Sequence, residues 1–284
     1  MLQKEALEQF IKAALAEDIG SGDHSTLASI PAETTGTARL KIKEDGVLAG
    51  MEVAEAIFRL LDDSTRFIPF KKDGEPMQAG EVAFEVSARV RTLLSAERLV
   101  LNCMQRMSGI ATLTRKYTDR LKGYHTRVLD TRKTTPNFRM LEKEAVRIGG
   151  GVNHRTGLYD MVMLKDNHID FSGGITPAVA RVVAYLKEKQ LDLKIEVEAR
   201  NIDDVKEILQ VGQVHRIMLD NFSPEQIPPA LALIKGQYET EASGGITIEN
   251  VEAYAKTGVD FVSVGAIIHH AVSLDLSLKA VIHS

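Results

Sequence analysis

The hydrophobic pattern changes rhythm along the chain. Residues 3 to 17 place Leu7, Phe10, Ile11, Ala14 and Leu15 at helical spacing among charges, and Gly20 ends the run, which predicts an N-terminal helix. The stretch from Glu17 to Asp23 reads as a polar loop. From Gly36 to Val90 the apolar runs shorten. Ala38, Leu40 and Ile42 alternate with polar residues, Asp45-Gly46 and Asp73-Gly74 are turn signals, and Met51 to Leu61 between them has helical spacing. This is the pattern of a small mixed α/β domain. A long helix is predicted from Ser95 to about Lys122, with Ser95 as its cap, Glu97 and Arg98 in its first turn, and Gly123 past its end.

After residue 125 the rhythm becomes regular. Apolar runs end at Asp130, Lys165, Glu198, Asp220, Ser243 and Gly265, and the last four fall 22, 23 and 22 residues apart, about one strand plus one helix. Thr176-Pro177, Ser223-Pro224 and Thr247 open the intervening helices. Strand candidates such as Ile195 to Glu198, Arg216 to Asp220 and Phe261 to Val264 are short and mostly apolar, as buried parallel strands are. Repeated βα units with polar residues at the strand ends predict a TIM-like α/β barrel. Six strands are countable, fewer than a complete barrel needs. Residues 271 to 284 read as a final helix.

Composition narrows the function. The chain has 284 residues, a net charge of −4, 26% charged residues, one cysteine and no tryptophan. That balance argues against nucleic acid as a partner. No apolar run approaches the roughly 18 residues of a membrane span. The N-terminal stretch is amphipathic and acidic, unlike a signal peptide. Cys103 excludes an internal disulfide, fits a reducing cytoplasm, and reads as core filler on the long helix.

The chemistry concentrates between Arg127 and His168, where 42 residues hold eight Lys or Arg and the triple glycine Gly149-Gly150-Gly151. Cations at the ends of buried-looking strands suggest a pocket for a small poly-anion; a solvated surface would not explain their recurrence there. In a barrel the strand ends converge on one mouth. Asp130 to Lys133 and Lys165 would supply its cations, Glu198 and Asp220 its anions, and Ser243-Gly244-Gly245 and Val264-Gly265-Ala266 its small residues. The two glycine loops fit a phosphate cradle, or plain turns. Glu198 and Asp220 suit a divalent metal, sugar hydroxyls, or ion pairs with the neighbouring cations. Lys165 is a point charge or a Schiff-base nucleophile. A lone helical arginine such as Arg98 is most often a surface charge.

The run Asp130-Thr131-Arg132-Lys133-Thr134-Thr135-Pro136, then Gly149 to Leu158, then Leu164-Lys165-Asp166-Asn167-His168 closely resembles the quinolinate phosphoribosyltransferase family. The likeness continues through Glu196-Val197-Glu198, Leu219-Asp220-Asn221, Glu241 to Ile246 and Gly258-Val259-Asp260, and earlier includes Gly22-Asp23, Ala96-Glu97-Arg98 and Ser108 to Thr112. The resemblance implies an α/β protein: an N-terminal α/β sandwich over 1–110, an incomplete TIM-like α/β barrel over 111–270, and a C-terminal helix over 271–284 packing back on the N-terminal domain. It implies transfer of the phosphoribosyl group of 5-phosphoribosyl-1-pyrophosphate to quinolinate with Mg2+, giving nicotinate mononucleotide, pyrophosphate and CO2 in de novo NAD biosynthesis. Carried over by motif, Arg132, His154, Arg155 and Lys165 face quinolinate's carboxylates. Lys133 meets pyrophosphate or quinolinate. Glu198 and Asp220 hold the ribose hydroxyls and Mg2+, directly or through water and the diphosphate. Ser243, Gly244, Gly245, Val264, Gly265 and Ala266 hold the 5-phosphate. Lys133, Lys165, Glu198 and Asp220 are then the catalytic set. Arg98 comes from the partner subunit of a homodimer, with a hexamer as the alternative. Asn137-Phe138 and Ile268-His269-His270 depart from the family's usual residues. A barrel phosphoribosyltransferase for another base, and an aldolase using Lys165, are the competing readings.

Overall fold

The computed structural model describes residues 2–281. In chain order it begins with helices α1 (Lys4–Ile19) and α2 (His24–Ser29), strands β1 (Thr35–Ile42) and β2 (Gly46–Val47), and helix α3 (Met51–Leu61). Strands β3 (Arg66–Pro69), β4 (Pro76–Met77) and β5 (Val82–Arg89) lead to the long helix α4 (Val90–Arg120). Next come β6 (Arg127–Leu129), α5 (Arg139–Ile148), β7 (Val162–Leu164), α6 (Asp166–Ser172) and α7 (Ile175–Lys189). Then follow β8 (Ile195–Ala199), α8 (Ile202–Val211), β9 (Arg216–Asp220), α9 (Ile227–Ile234) and β10 (Glu239–Ser243). Last are α10 (Val251–Ala255), β11 (Phe261–Ser263), α11 (Ala266–His269) and β12 (Leu276–Ala280).

Two compact units result. The first takes the chain up to Arg115, residues 134–150, and the chain from Ile267 on. Its main sheet has the order β12-β1-β5-β3 and is antiparallel. The period-two pattern of β1 buries Leu40 and Ile42 and leaves Arg39 and Lys41 in solvent. Helix α3 buries Val53, Ala54, Ile57 and Phe58, and Phe58 meets Phe84 of β5 edge-on at 6.2 Å.

Three expectations are corrected in this unit. Helix α4 starts at Val90 rather than at Ser95. The Val90 N–H, an otherwise orphan donor of a helix start, goes to the Thr34 carbonyl (2.8 Å), so a tertiary contact replaces the side-chain cap. Ser95 lies inside the helix and donates to Asp23 (3.0 Å), the residue whose carboxylate caps α2 through the Thr26 N–H. Arg98 is accordingly past the first turn. The second correction is the C-terminal helix: Leu276–Ala280 is a strand, with Leu278 opposite Leu40 and Leu276 opposite Ile42. Leu274, Leu276 and Leu278 recur every second residue, which is a strand period, and they complete the sheet by covering the edge of β1. The segment does return to the N-terminal unit, as a strand; residues 282–284 of that expectation lie outside the described residues.

The third concerns residues 134–150, which were expected with the barrel. They belong to the first unit because α5 packs on α4. Arg106 of α4 bonds Glu142 (2.9 Å), and a Cβ on Gly149 would lie 2.6 Å from the Ala111 carbonyl oxygen. The start of the triple glycine is therefore a close approach between backbones, where the sequence had suggested part of an anion pocket.

The second unit holds residues 116–133 and 151–266. Its six strands run β6-β11-β10-β9-β8-β7, and each pair is parallel. Val152 adds one parallel bridge to the outer edge of β6, at Leu129. This is an incomplete α/β barrel, with α7 packed on β7, α8 on β8 and α10 on β11. Because every strand points the same way, Asp130, Lys165, Glu198, Asp220, Ser243 and Gly265 come to one end of it. No described helix is long and apolar enough to cross a membrane.

Candidate active site

Strand β6 ends in the buried Asp130, which accepts the His154 backbone N–H at 2.8 Å. Asp130 thus ties the segment 152–155 to the loop that carries Arg132 and Lys133. Arg132 and Arg155 are half-buried and Lys133 is exposed. Burial, and after it the charge of Arg132, hold the Arg155 guanidinium below its ordinary value. Two guanidiniums brought close enough to repel, and partly desolvated, are arranged for an anion that bridges them. Arg155 also donates to the Met161 carbonyl at 3.3 Å, which limits its swing.

Across the same end, Lys165 Nζ lies 3.3 Å from Glu198 Oε2. Burial raises the Glu198 carboxyl above the usual carboxylate range; Lys165 opposes this, and the nearby Asp220 adds to it. Asp220 is half-buried and accepts the Asn221 side-chain amide at 2.6 Å. His168 is structural: its Nδ1 accepts the Lys165 backbone N–H at 3.1 Å, at the start of α6.

The glycine loop after β10 is shaped by its neighbour. Gly244 has φ +97°, and a Cβ there would meet Asn221 Oδ1 at 2.2 Å, so glycine is required twice over. Asn250 holds the loop by donating to the Gly245 carbonyl at 3.0 Å and accepting the Thr247 N–H at 2.8 Å. Among the described residues no acceptor takes the N–H of Gly244, Gly245, Gly265 or Ala266. The Val264 N–H, in contrast, is bound to the Leu129 carbonyl at 3.0 Å, and its side chain is buried. Ser243 is half-buried at the end of β10.

Sequence reasoning named His154 for quinolinate's carboxylates but missed the buried charges that its ring meets inside the strands. His154 Nε2 stands 3.0 Å from Glu196 Oε2 and 3.2 Å from Glu241 Oε2, while Nδ1 accepts the Arg155 backbone N–H at 2.6 Å. The ring is thereby turned inward. Arg216 Nη1 is 3.1 Å from Glu241 and 3.9 Å from Glu196, and its other nitrogens reach Glu239 at 2.9 Å. Burial and Glu241 push the Glu196 carboxyl up to about 7. For His154 burial works against the charged ring and the two carboxylates favour it, but Nδ1 accepts a hydrogen bond and carries no proton, so the one ring proton sits on Nε2, towards the glutamates. Arg216 balances one of the two acids, and the raised Glu196 is the one that takes up a proton. By ligand type the trio His154, Glu196 and Glu241 could hold a metal, but the histidine nitrogen is already in direct contact with both carboxylates and Arg216 supplies a cation to them. The available signal was a glutamate at every second position of a short buried strand, Glu196 and Glu198 in β8.

The remaining residues are quickly placed. Arg98 is exposed on α4 of the first unit. Cys103 is fully buried, and burial pushes its thiol up to about 12, as core filler requires. Arg139 bonds Thr134 (2.9 Å) and Arg147 bonds Glu144. The unusual Asn137 adopts φ +61°, a conformation asparagine tolerates, and Phe138 packs edge-on against Phe10 at 5.6 Å. Ile268 is buried, and its carbonyl accepts Arg106 at 2.8 Å.

Residues 110–279 match the model of the quinolinate phosphoribosyl transferase C-terminal domain, and residues 23–108 that of the N-terminal domain. A chloroplastic nicotinate-nucleotide pyrophosphorylase [carboxylating] of Arabidopsis thaliana is 44% identical over 96% of this chain and 82% of its own length. A probable enzyme of the same name from Synechocystis is 43% identical, over 97% of this chain and 92% of its own. A crystal structure of NadC from Streptococcus pyogenes superposes with a TM-score of 0.91 at 40% identity, covering 99% of each chain. Both halves of the chain, in order and over nearly their full length, place it in the quinolinate phosphoribosyltransferase family.

Proposed function

We propose that the strand ends of the barrel transfer the phosphoribosyl group of 5-phosphoribosyl-1-pyrophosphate to quinolinate with decarboxylation, giving nicotinate mononucleotide, pyrophosphate and CO2 for NAD biosynthesis. The observation that carries the assignment of roles is the pair Arg132 and Arg155, two half-buried guanidiniums close enough to repel, with Lys165 at the same end of the barrel. Two carboxylates on one ring answer that arrangement; a single carboxylate would leave part of it unmatched. Lys133, exposed on the same loop, meets the pyrophosphate or the second carboxylate.

The reaction follows from where charge develops. As pyrophosphate departs, C1 of the ribose becomes oxocarbenium-like, and Glu198 and Asp220 bind the ribose hydroxyls and stabilise that cation. The ring nitrogen of quinolinate attacks C1. Its new positive charge stabilises the electron pair left on the adjacent ring carbon when that carboxylate leaves as CO2, and a proton from water takes up the pair to give nicotinate mononucleotide. The N–H groups of Gly244, Gly245, Gly265 and Ala266 and the hydroxyl of Ser243 bind the 5-phosphate. Val264 contributes shape at that loop, since its N–H is already bonded.

Glu198 and Asp220 present hard oxygen donors, with Asp220 close enough to raise the proton affinity of Glu198, a donor set that suits Mg2+. When bound there, Mg2+ neutralises charge on the diphosphate. Lys165 is ion-paired and half-exposed, the opposite of the desolvated setting a Schiff-base lysine needs. Arg98, exposed on α4, completes the quinolinate site of a neighbouring subunit in a homodimer, and the single cysteine suits a cytoplasmic setting.

Release of labelled CO2 from carboxyl-labelled quinolinate, dependent on phosphoribosyl pyrophosphate and on Mg2+ after chelation, tests the reaction. Equal turnover of nicotinate would overturn the dicarboxylate reading. Sedimentation at graded concentration tests the dimer, and restored activity on mixing Arg98→Ala chains with Lys165→Ala chains tests the shared site.

A further inference from the structure

The buried charges inside the strands serve no step of the transfer, yet they are costly. Replacing a buried ion pair by apolar residues of similar volume is often neutral or stabilising, so stability alone does not call for four ionisable side chains here. Register explains how they meet. Arg216 of β9 is the cross-strand partner of Glu196 on β8 and of Glu239 on β10, so its guanidinium reaches acids from both neighbouring strands. Phe261 of β11 covers it, with the ring centroid 4.4 Å from the guanidinium carbon. Glu196 and Glu241 are fully buried and both direct an oxygen at His154 Nε2. His154 is therefore pinned at three points: Nε2 by the two glutamates, its backbone N–H by Asp130, and Nδ1 by the Arg155 N–H.

We infer that Glu196 and Glu241, braced by Arg216, are positioning residues for the dicarboxylate substrate: they hold the His154 imidazole, whose Nδ1 fixes the main chain of Arg155 and with it the direction of that guanidinium. The inference rests on the reading that Arg155 and Arg132 face quinolinate. It makes His154 an inward-facing strut, with its effect on the substrate exerted through Arg155. A glutamine at position 241 keeps the volume but removes the negative charge that Glu241 Oε2 presents to both Arg216 and His154, and so weakens its hold on the ring. The ring then turns, and the Arg155 N–H loses its acceptor.

The test is steady-state kinetics with both substrates on Glu241→Gln, Glu196→Gln, His154→Ala and the double variant His154→Ala/Glu241→Gln, each checked for a native unfolding transition. Glu241→Gln should raise the quinolinate KM about tenfold while the phosphoribosyl pyrophosphate KM stays within about twofold. In the His154→Ala background the same change should add less than about twofold, because both act through one contact. Should Glu241→Gln not fold, Glu196→Gln carries the same expectation at smaller size. An unchanged quinolinate KM, a parallel rise in both KM values, or full additivity with His154→Ala overturns the inference. Arg132→Ala separates the two levels. A normal quinolinate KM there brings down the site reading and the network with it; a raised one, beside an unchanged Glu241→Gln, overturns the network alone.

Discussion

Two sets of charges occupy the same barrel and obey opposite rules. Inside the strands, Glu196, Glu241, Arg216 and His154 are matched among themselves, with every charge within 3.9 Å of an opposite one. At the strand ends, Arg132 and Arg155 are brought together with like charge facing like charge. The first arrangement keeps a buried group tolerable. The second brings like charges together, an arrangement that an incoming anion stabilises. Charge count does not separate the two, but the sign of the neighbours does, and the like-charged set is the one that the proposed function assigns to the substrate.

The comparison can be broken at either end. Arg216→Ala leaves two buried carboxylates facing each other and should cost about 3–5 kcal/mol of folding stability, read as a lowered denaturant midpoint with unchanged slope. A midpoint near the parent's would mean that the cluster is not matched through Arg216. Arg132→Ala does the reverse: the fold should be unaffected, while kcat/KM for quinolinate falls on the order of 10²- to 10³-fold. Near-normal kcat/KM in that variant sinks the assignment of the cationic end.

Smaller effects sharpen the picture. Gly244→Ala must move Asn221 and strain a left-handed backbone, at about 1–3 kcal/mol, and should appear chiefly as a raised KM for phosphoribosyl pyrophosphate. A selective rise in the quinolinate KM instead would assign that loop to the other substrate. At the bottom of the scale, Cys103 should not react with iodoacetamide at pH 8 in the native protein, since it is fully buried and burial pushes its thiol up to about 12. Rapid labelling without unfolding would contradict its burial.

Much of the strand-end arrangement was legible in the sequence. Asp130, Lys165, Glu198, Asp220 and Ser243 stand at strand ends because short apolar runs of near-constant spacing can only be parallel strands feeding helices. The β12 strand was also legible, in the alternation of Leu274, Leu276 and Leu278, but its shortness let a helix reading win. The start of α4 was not legible: Ser95 carries a good local cap signal, and the Thr34 carbonyl, 56 residues upstream of its Val90 partner, overrides it.

Period and composition along the chain thus determined the α/β architecture, the order of the strand ends, and the identity of the residues gathered there, because these are local or periodic properties. Tertiary structure decided which charges neutralise one another. Glu196 and Glu198 are two residues apart on one strand, yet one faces His154 and Glu241 in the interior and the other faces Lys165 at the strand ends. It likewise decided that Gly149 serves packing on α4, while Gly244 serves the loop that approaches Asn221. The physical reason is the same in each case: a charge or a glycine acquires its role from what lies within a few ångströms of it, and those neighbours are distant in sequence.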